Sequence, residues 1–179
     1  ANGPERMLDR AHSAEGGVSL AKILDGRSET ANIPDNVAAH APDVLLFMAG
    51  TNDYDANNFN RRFEGIVSNT VLAVEQFYGA TGTLDKHMVV STSPPKTISG
   101  PEEAKFAEFI NEGFSIVDDV RVLGDVGNGT YQQGIRGAIN DLQALYPNLH
   151  LFEKPWTVDD LTADKVHFTE AGYATYAQA

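Results

Sequence analysis

A run of six apolar residues at positions 44–49 constrains the fold of this chain more than any other feature. A Pro-Asp pair precedes the run and a glycine ends it. A short, continuously apolar segment with such boundaries is typical of a strand in a parallel sheet that is covered on both faces. Residues 87–92 (His-Met-Val-Val-Ser-Thr) and 149–152 (Leu-His-Leu-Phe) are also rich in strand-forming apolar residues, and proline follows each within three residues. These two segments predict two further strands.

Helical patterns lie between the predicted strands. Apolar residues recur at 3.6-residue spacing over residues 59–78 and again over residues 131–146. Pro101 and the two glutamates after it predict the start of another helix, whose apolar face continues to Phe114. Thr169 is the expected N-cap of a final helix. Strands alternating with helices imply βαβ units, and therefore one α/β domain of 179 residues with a small, mostly parallel sheet.

Residues 115–130 fit neither pattern. Their glycines do not have the spacing of a phosphate-binding loop, and no Lys-Ser or Lys-Thr pair follows them. We predict a short strand and then a glycine-rich surface loop near the site, and no nucleotide cradle.

Charge and composition exclude several classes of function. The chain has 13 Lys and Arg against 25 Asp and Glu, a formal net charge of −12. Nucleic-acid binding depends on basic side chains at the phosphates, so we expect no nucleic-acid partner. No apolar run approaches the roughly 18 residues of a membrane span. The chain has no cysteine, which excludes disulfides and thiolate metal sites; we favour a secreted or periplasmic bacterial location over a cytoplasmic one.

Two polar motifs stand where α/β proteins carry chemistry. Ligands of such sheets bind beyond the carboxyl ends of the strands, and the first predicted strand leads directly into Gly-Thr-Asn-Asp. The Asn52 amide can donate a hydrogen bond to a developing oxyanion there. Asp164 and His167 lie three residues apart, so the carboxylate can orient the imidazole as a general base for a serine. Taken alone, each motif also fits an ordinary turn.

Together the two motifs resemble those of the SGNH (GDSL-type) hydrolases. In that family a Gly-x-Asn-Asp block supplies an oxyanion-hole asparagine, here Asn52. A late Asp-x-x-His block supplies the acid and base of a Ser-His-Asp triad, here Asp164 and His167. The resemblance covers about residues 12–179. It implies a three-layer α/β/α sandwich of flavodoxin-like type and a serine esterase that acts on acetyl or short-acyl esters, including those of carbohydrates, without metal or cofactor.

Two further blocks of the family differ in how well this sequence matches them. One places a glycine amide in the oxyanion hole, and its best match is Gly17 in the Gly-Gly-Val-Ser segment. The other, Gly-Asp-Ser, carries the nucleophile and does not occur in this sequence. In the family that block lies on a strand beside the one predicted at 44–49. We therefore expect the single domain of residues 1–179 to lack its N-terminal βα unit, and the serine to lie outside this sequence.

The sequence is also compatible with two other functions. The missing nucleophile suggests a catalytically inactive protein of the same fold that binds a ligand. Alternatively, the segment from Asp53 to Glu64 has the acids and amides of a calcium-binding EF-hand loop at positions 1, 3, 5 and 12. Asn58 stands where that loop needs glycine, and a predicted strand, not a helix, leads into it.

Aromatic residues give a first indication of the substrate. Trp156, Tyr131 and Phe168 form either an aromatic wall for a sugar or short acyl chain, or part of the core. The negative charge argues against anionic substrates.

Overall fold

The computed structural model describes residues 19–27, 32–48, 50, 53, 59–93, 101–153, 160, 162, 168–172 and 174. The longer helices in this part of the chain are α1 (Leu20–Leu24), α2 (Ile33–His40), α3 (Phe59–Thr81), α4 (Pro101–Glu112) and α5 (Ile135–Leu142), and residues 170–172 are also helical. The strands are β1 (Val44–Phe47), β2 (His87–Ser91), β3 (Gly113–Val117), β4 (Val120–Leu123), β5 (Thr130–Gln133) and β6 (Leu149–Phe152).

The three predicted apolar strands form one parallel sheet in the order β1-β2-β6. Leu46 pairs with Val89, and Val89 pairs with His150 on its other side. The connection from β1 to β2 contains α3, and the connection from β2 to β6 contains α4, β3, β4, β5 and α5. The predicted α/β fold with a small parallel sheet is therefore confirmed.

One face of β1 is more exposed than the sequence predicts. Val44 and Leu46 are 52% and 66% exposed, whereas Phe47 is buried. Successive side chains of a strand point to opposite faces, so Val44 and Leu46 share the exposed face. The prediction of a strand covered on both faces is wrong for this face.

Helix α3 occupies the centre of the core. Its buried apolar residues follow the helical spacing that the sequence predicts, and those that are almost completely buried include Phe63, Ile66, Val74 and Phe77. The helix packs against α1, α2, α4 and α5. Neither α3 nor any other helix of the described residues has both the length and the apolar character of a membrane span.

Residues 113–133 form a second sheet, where the sequence predicts only one short strand and a loop. Strand β3 lies between β4 and β5 and pairs with both in antiparallel fashion. Asp118 and Asp119 join β3 to β4 with φ angles of 49° and 61°. Two successive positive φ angles are typical of a type I′ turn, whose twist matches that of a hairpin.

Two helices are shorter than the sequence predicts. Phe114 fits the period of α4, but the helix ends at Glu112 because Gly113 has a φ of 92°. Phe114 therefore lies on β3. Tyr131 likewise lies on β5, and α5 begins only at Ile135.

Phe114 holds the antiparallel sheet against the helices. Its side chain is completely buried. Its ring forms a T-shaped pair with the Phe63 ring of α3, with centroids 4.5 Å apart, and another with the Phe109 ring of α4, with centroids 5.9 Å apart. On β4, the Arg121 guanidinium lies 4.4 Å from the centroid of the same ring.

We expect Phe114→Ala to lower the free energy of unfolding by about 3–5 kcal/mol, because it leaves a cavity where three rings meet. Urea denaturation followed by circular dichroism measures the change. Leu145→Ala is the control, since Leu145 is 65% exposed and its loss should change stability by less than about 0.5 kcal/mol. Equal effects of the two substitutions would contradict this packing.

Tyr78 gives the fold a dependence on alkaline pH. Its ring is buried and stacks on Tyr146, and burial raises the pKa of its hydroxyl above the ordinary value of 10.0. The folded state then keeps this proton when the unfolded state loses it, so stability falls as the pH rises past 10. We expect Tyr78→Phe to reduce this fall in urea denaturation at pH 8 and pH 11. An unchanged pH dependence would contradict the prediction.

Candidate active site

The four residues predicted for catalysis, Gly17, Asn52, Asp164 and His167, lie outside the described residues. Their positions therefore stay predictions. Described residues adjoin each of the segments that contain them, and these neighbours are Ser19, Leu20, Gly50, Asp53 and residues 168–172.

The chain turns sharply after β1. Gly50 is buried and has a φ of 100°, a conformation that residues with a side chain rarely adopt. The amide of Asp53 donates a hydrogen bond of 3.0 Å to the Gly50 carbonyl oxygen. This turn follows the carboxyl end of β1, the edge at which parallel α/β sheets bind their ligands.

Asp53 connects this turn to α1. Its side chain is only 4% exposed, and Oδ2 accepts a hydrogen bond of 2.7 Å from the amide of Leu20. Leu20 is the first residue of α1, and the side chain of the preceding Ser19 makes no capping hydrogen bond. The carboxylate of Asp53 therefore satisfies one of the amides that a helix leaves without a partner in its first turn.

The contact between Asp53 and Leu20 joins the two segments in which the sequence predicts the oxyanion donors. Asp53 directly follows Asn52, and Leu20 lies three residues after Gly17. In the sequence, Asp53 is recognisable only as part of the Gly-x-Asn-Asp motif or of a calcium loop. Nothing in the local pattern identifies a partner 33 residues away.

The calcium-loop interpretation fits this geometry poorly. Its first ligand would be the Asp53 carboxylate, which is buried and hydrogen bonded to a backbone amide. A strand precedes the loop, whereas an EF-hand has a helix there. Within the ranges that the structure describes, no group of three or more His, Asp or Glu side chains could hold a metal ion.

The segment after the predicted base is fixed by two hydrogen bonds. The amide of Gly172 donates to Thr169 Oγ1 over 2.9 Å, which confirms the prediction of Thr169 as an N-cap. The amide of Thr169 donates to the Asp160 carbonyl oxygen over 2.8 Å. The backbone at Thr169, two residues after the predicted base, is therefore fixed by the capping bond and by the bond to Asp160.

The carboxyl end of β2 is held by α4. The side-chain amide of Asn111 accepts a hydrogen bond from the Ser93 amide and donates one to the Ser93 carbonyl, at 2.8 and 2.9 Å. The Ser93 side chain itself is buried. This pair of bonds fixes the backbone just after the carboxyl end of β2, and the Gly50 turn follows the carboxyl end of the neighbouring parallel strand β1.

The aromatic wall stays a prediction. Tyr131 lies on β5, exposed, and its hydroxyl donates a hydrogen bond of 2.9 Å to the Glu112 carbonyl. Phe168 is half-buried, and Trp156 lies outside the described residues.

A histidine pair that the sequence pattern does not predict lies near the amino ends of the parallel strands. His87 Nδ1 lies 3.0 Å from His150 Nε2, and the two rings stack with centroids 5.3 Å apart. His87 begins β2 and His150 is near the start of β6, so the pair lies away from the carboxyl ends of the strands.

Comparison with known proteins gave one positive result. The family model described as GDSL-like Lipase/Acylhydrolase matches residues 3–179, a range that includes both motifs. Comparisons with curated proteins and with solved structures gave no match.

We expect Gly50→Ala to destabilise the turn after β1. A Cβ at this position lies 3.0 Å from Cγ2 of Ile66 and forces alanine into a positive φ, which together should cost about 1–3 kcal/mol of unfolding free energy. Gly65→Ala is the matched control, because it fills open space on the adjacent helix α3 and should stabilise it by about 0.5–1 kcal/mol. Thermal denaturation compares the two variants, and a stabilised Gly50→Ala would contradict the strained turn.

Proposed function

The chain belongs to the GDSL-like lipase/acylhydrolase family, and on that premise we propose that it is a serine esterase. Family membership supports ester hydrolysis in general. The finer proposal is hydrolysis of carboxylic esters of acetyl or short-acyl groups through an acyl-enzyme, with esters of carbohydrates as the first substrates to test.

The hydrogen bond between Asp53 and Leu20 is the observation that best supports this reaction. Acyl transfer needs two donors aimed at one oxyanion. The proposed donors are the side-chain amide of Asn52 and the backbone amide of Gly17. In the sequence, Gly17 lies three residues before Leu20 and Asn52 directly precedes Asp53, the two residues that this 2.7 Å contact joins.

In the proposed mechanism His167 acts as the general base. Its imidazole takes the proton of a serine hydroxyl as the oxygen attacks the ester carbonyl, while Asp164 orients the ring. Asn52 and Gly17 stabilise the negative charge that develops on the carbonyl oxygen. The imidazolium then protonates the leaving alcohol. In the second half, His167 takes a proton from water, the hydroxide attacks the acyl-enzyme, and the acid leaves as the serine recovers its proton.

We place the nucleophilic serine on a strand that pairs with β1. Strand β1 stands at one end of the described order β1-β2-β6, which supports this placement because an end strand can pair with a further strand. The exposed side chains of Val44 and Leu46 form a face that the helix of the same βα unit would cover. Leu46 at 66% exposure is unusual for a residue in the middle of such a strand.

The test of this proposal is covalent labelling of the full-length protein with a fluorophosphonate, followed by intact-mass and peptide mass spectrometry. We expect one adduct, on a serine outside residues 1–179. His167→Ala should lose the adduct and lower kcat for 4-nitrophenyl acetate by at least about 10³-fold, because the serine is then no longer activated. His40→Ala is the control, since His40 is an exposed residue at the end of α2.

Three results would contradict parts of the proposal. An adduct on Ser93 or another serine of this chain would contradict the location of the nucleophile. Full activity of His167→Ala would remove this residue from the mechanism. Absence of both adduct and hydrolysis in the wild type would favour the inactive, ligand-binding alternative.

A further inference from the structure

We propose that Asp53 is a positioning residue of the oxyanion hole: its buried carboxylate fixes the start of α1, and with it the Gly17 amide, relative to Asn52. This inference rests on the proposed esterase function and adds a residue to it. Asp53 contacts no reacting atom in this proposal. It acts through the backbone of the two segments that it joins.

Asp53 makes hydrogen bonds through both its backbone amide and its side chain. Its amide bonds to the Gly50 carbonyl and its carboxylate bonds to the Leu20 amide, so one residue joins the turn after β1 to α1. Both ends are packed, since Gly50 is buried and Leu20 is 0% exposed. A hydrogen bond between two packed ends transmits a displacement of either one to the other, because buried groups have no space in which to relax.

Helix α1 depends on external contacts for its position. It has only five residues, and isolated helices of that length are not stable in water. Its amino end lacks a cap from Ser19 and receives the Asp53 carboxylate. Its carboxyl end is held separately, by a hydrogen bond of 2.9 Å from Gln76 Nε2 of α3 to the Leu24 carbonyl.

The two ends of α1 therefore provide a matched pair of substitutions. Each removes a side-chain hydrogen bond to the backbone of the same helix, at Leu20 for Asp53 and at Leu24 for Gln76. Only Asp53 acts at the end that leads to Gly17, three residues before Leu20. A shift of about 1 Å in a catalytic group lowers the rate by up to about 100-fold, whereas the same shift at the far end of the helix does not reach the reacting atoms.

The experiment compares Asp53→Ala, Asp53→Asn and Gln76→Ala in steady-state ester hydrolysis, with Tm and hydrogen exchange of the Leu20 amide measured on the same proteins. We expect Asp53→Ala to lower kcat about 10- to 100-fold with KM changed by less than about threefold, because the oxyanion exists only after attack. Asp53→Asn keeps an acceptor oxygen and should recover most of kcat. Gln76→Ala should lower Tm but keep kcat within about threefold of the wild type.

Exchange of the Leu20 amide should accelerate in Asp53→Ala and not in Asp53→Asn, which shows the loss of the contact without reference to activity. If Asp53→Ala does not fold, Asp53→Ser replaces it, since its hydroxyl is too short to reach the same amide.

The outcomes separate this inference from the proposed function. A wild type without hydrolysis contradicts the esterase function, and this role of Asp53 with it. An active wild type with equal kcat in Asp53→Ala, or with equal losses in Asp53→Ala and Gln76→Ala, contradicts the positioning role alone. A loss confined to KM also contradicts it, since it indicates a contact with the bound substrate.

Discussion

The packing of α3 is the constraint on which the rest of the structure depends. Helices α1, α2, α4 and α5 all contact it, and its side chains reach three separate parts of the fold. Phe63 meets Phe114 of the antiparallel sheet, Ile66 lies against Gly50 in the turn after β1, and Gln76 holds the end of α1. The turn that carries the candidate site is therefore supported by the same helix that supplies much of the apolar core.

The packing of α3 thus supports the described residues around the candidate site. The start of α1, the end of α1 and the end of β2 are each fixed by a side chain that bonds to the backbone, namely Asp53, Gln76 and Asn111. Such bonds satisfy buried backbone groups where no regular ladder exists.

Local sequence pattern was sufficient for the elements whose burial follows a simple period. The apolar runs of β1, β2 and β6 and the helical spacing of α3 predicted those elements correctly, because burial on a regular element imposes its period on the sequence. The pattern failed at Phe114, whose spacing fits α4 although Gly113 ends the helix. It also failed over residues 115–130, which are rich in glycine and aspartate. The sequence pattern does not predict β4 and β5, because these strands are stabilised by pairing with β3.

The features of the candidate site also fall into two groups, those that local sequence pattern predicts and those that it does not. The Asn52 and Asp164-His167 motifs are visible in the sequence because their residues are close together in it. The bond from Asp53 to Leu20 spans 33 residues, and the exposed face of β1 depends on what packs against it, so no local pattern contains either. Long-range contacts of this kind follow only from the assembled fold.

The type I′ turn at Asp118 and Asp119 has a consequence for changes in chain length. The hairpin is an excursion inserted between β2 and β6, and those two strands pair directly with each other through residues that the hairpin does not contain. Residues added at this turn lengthen two antiparallel strands and leave the register of the parallel sheet unchanged. A change in the length of this turn therefore leaves the pairing of β2 with β6, and the carboxyl ends of these strands, as they are.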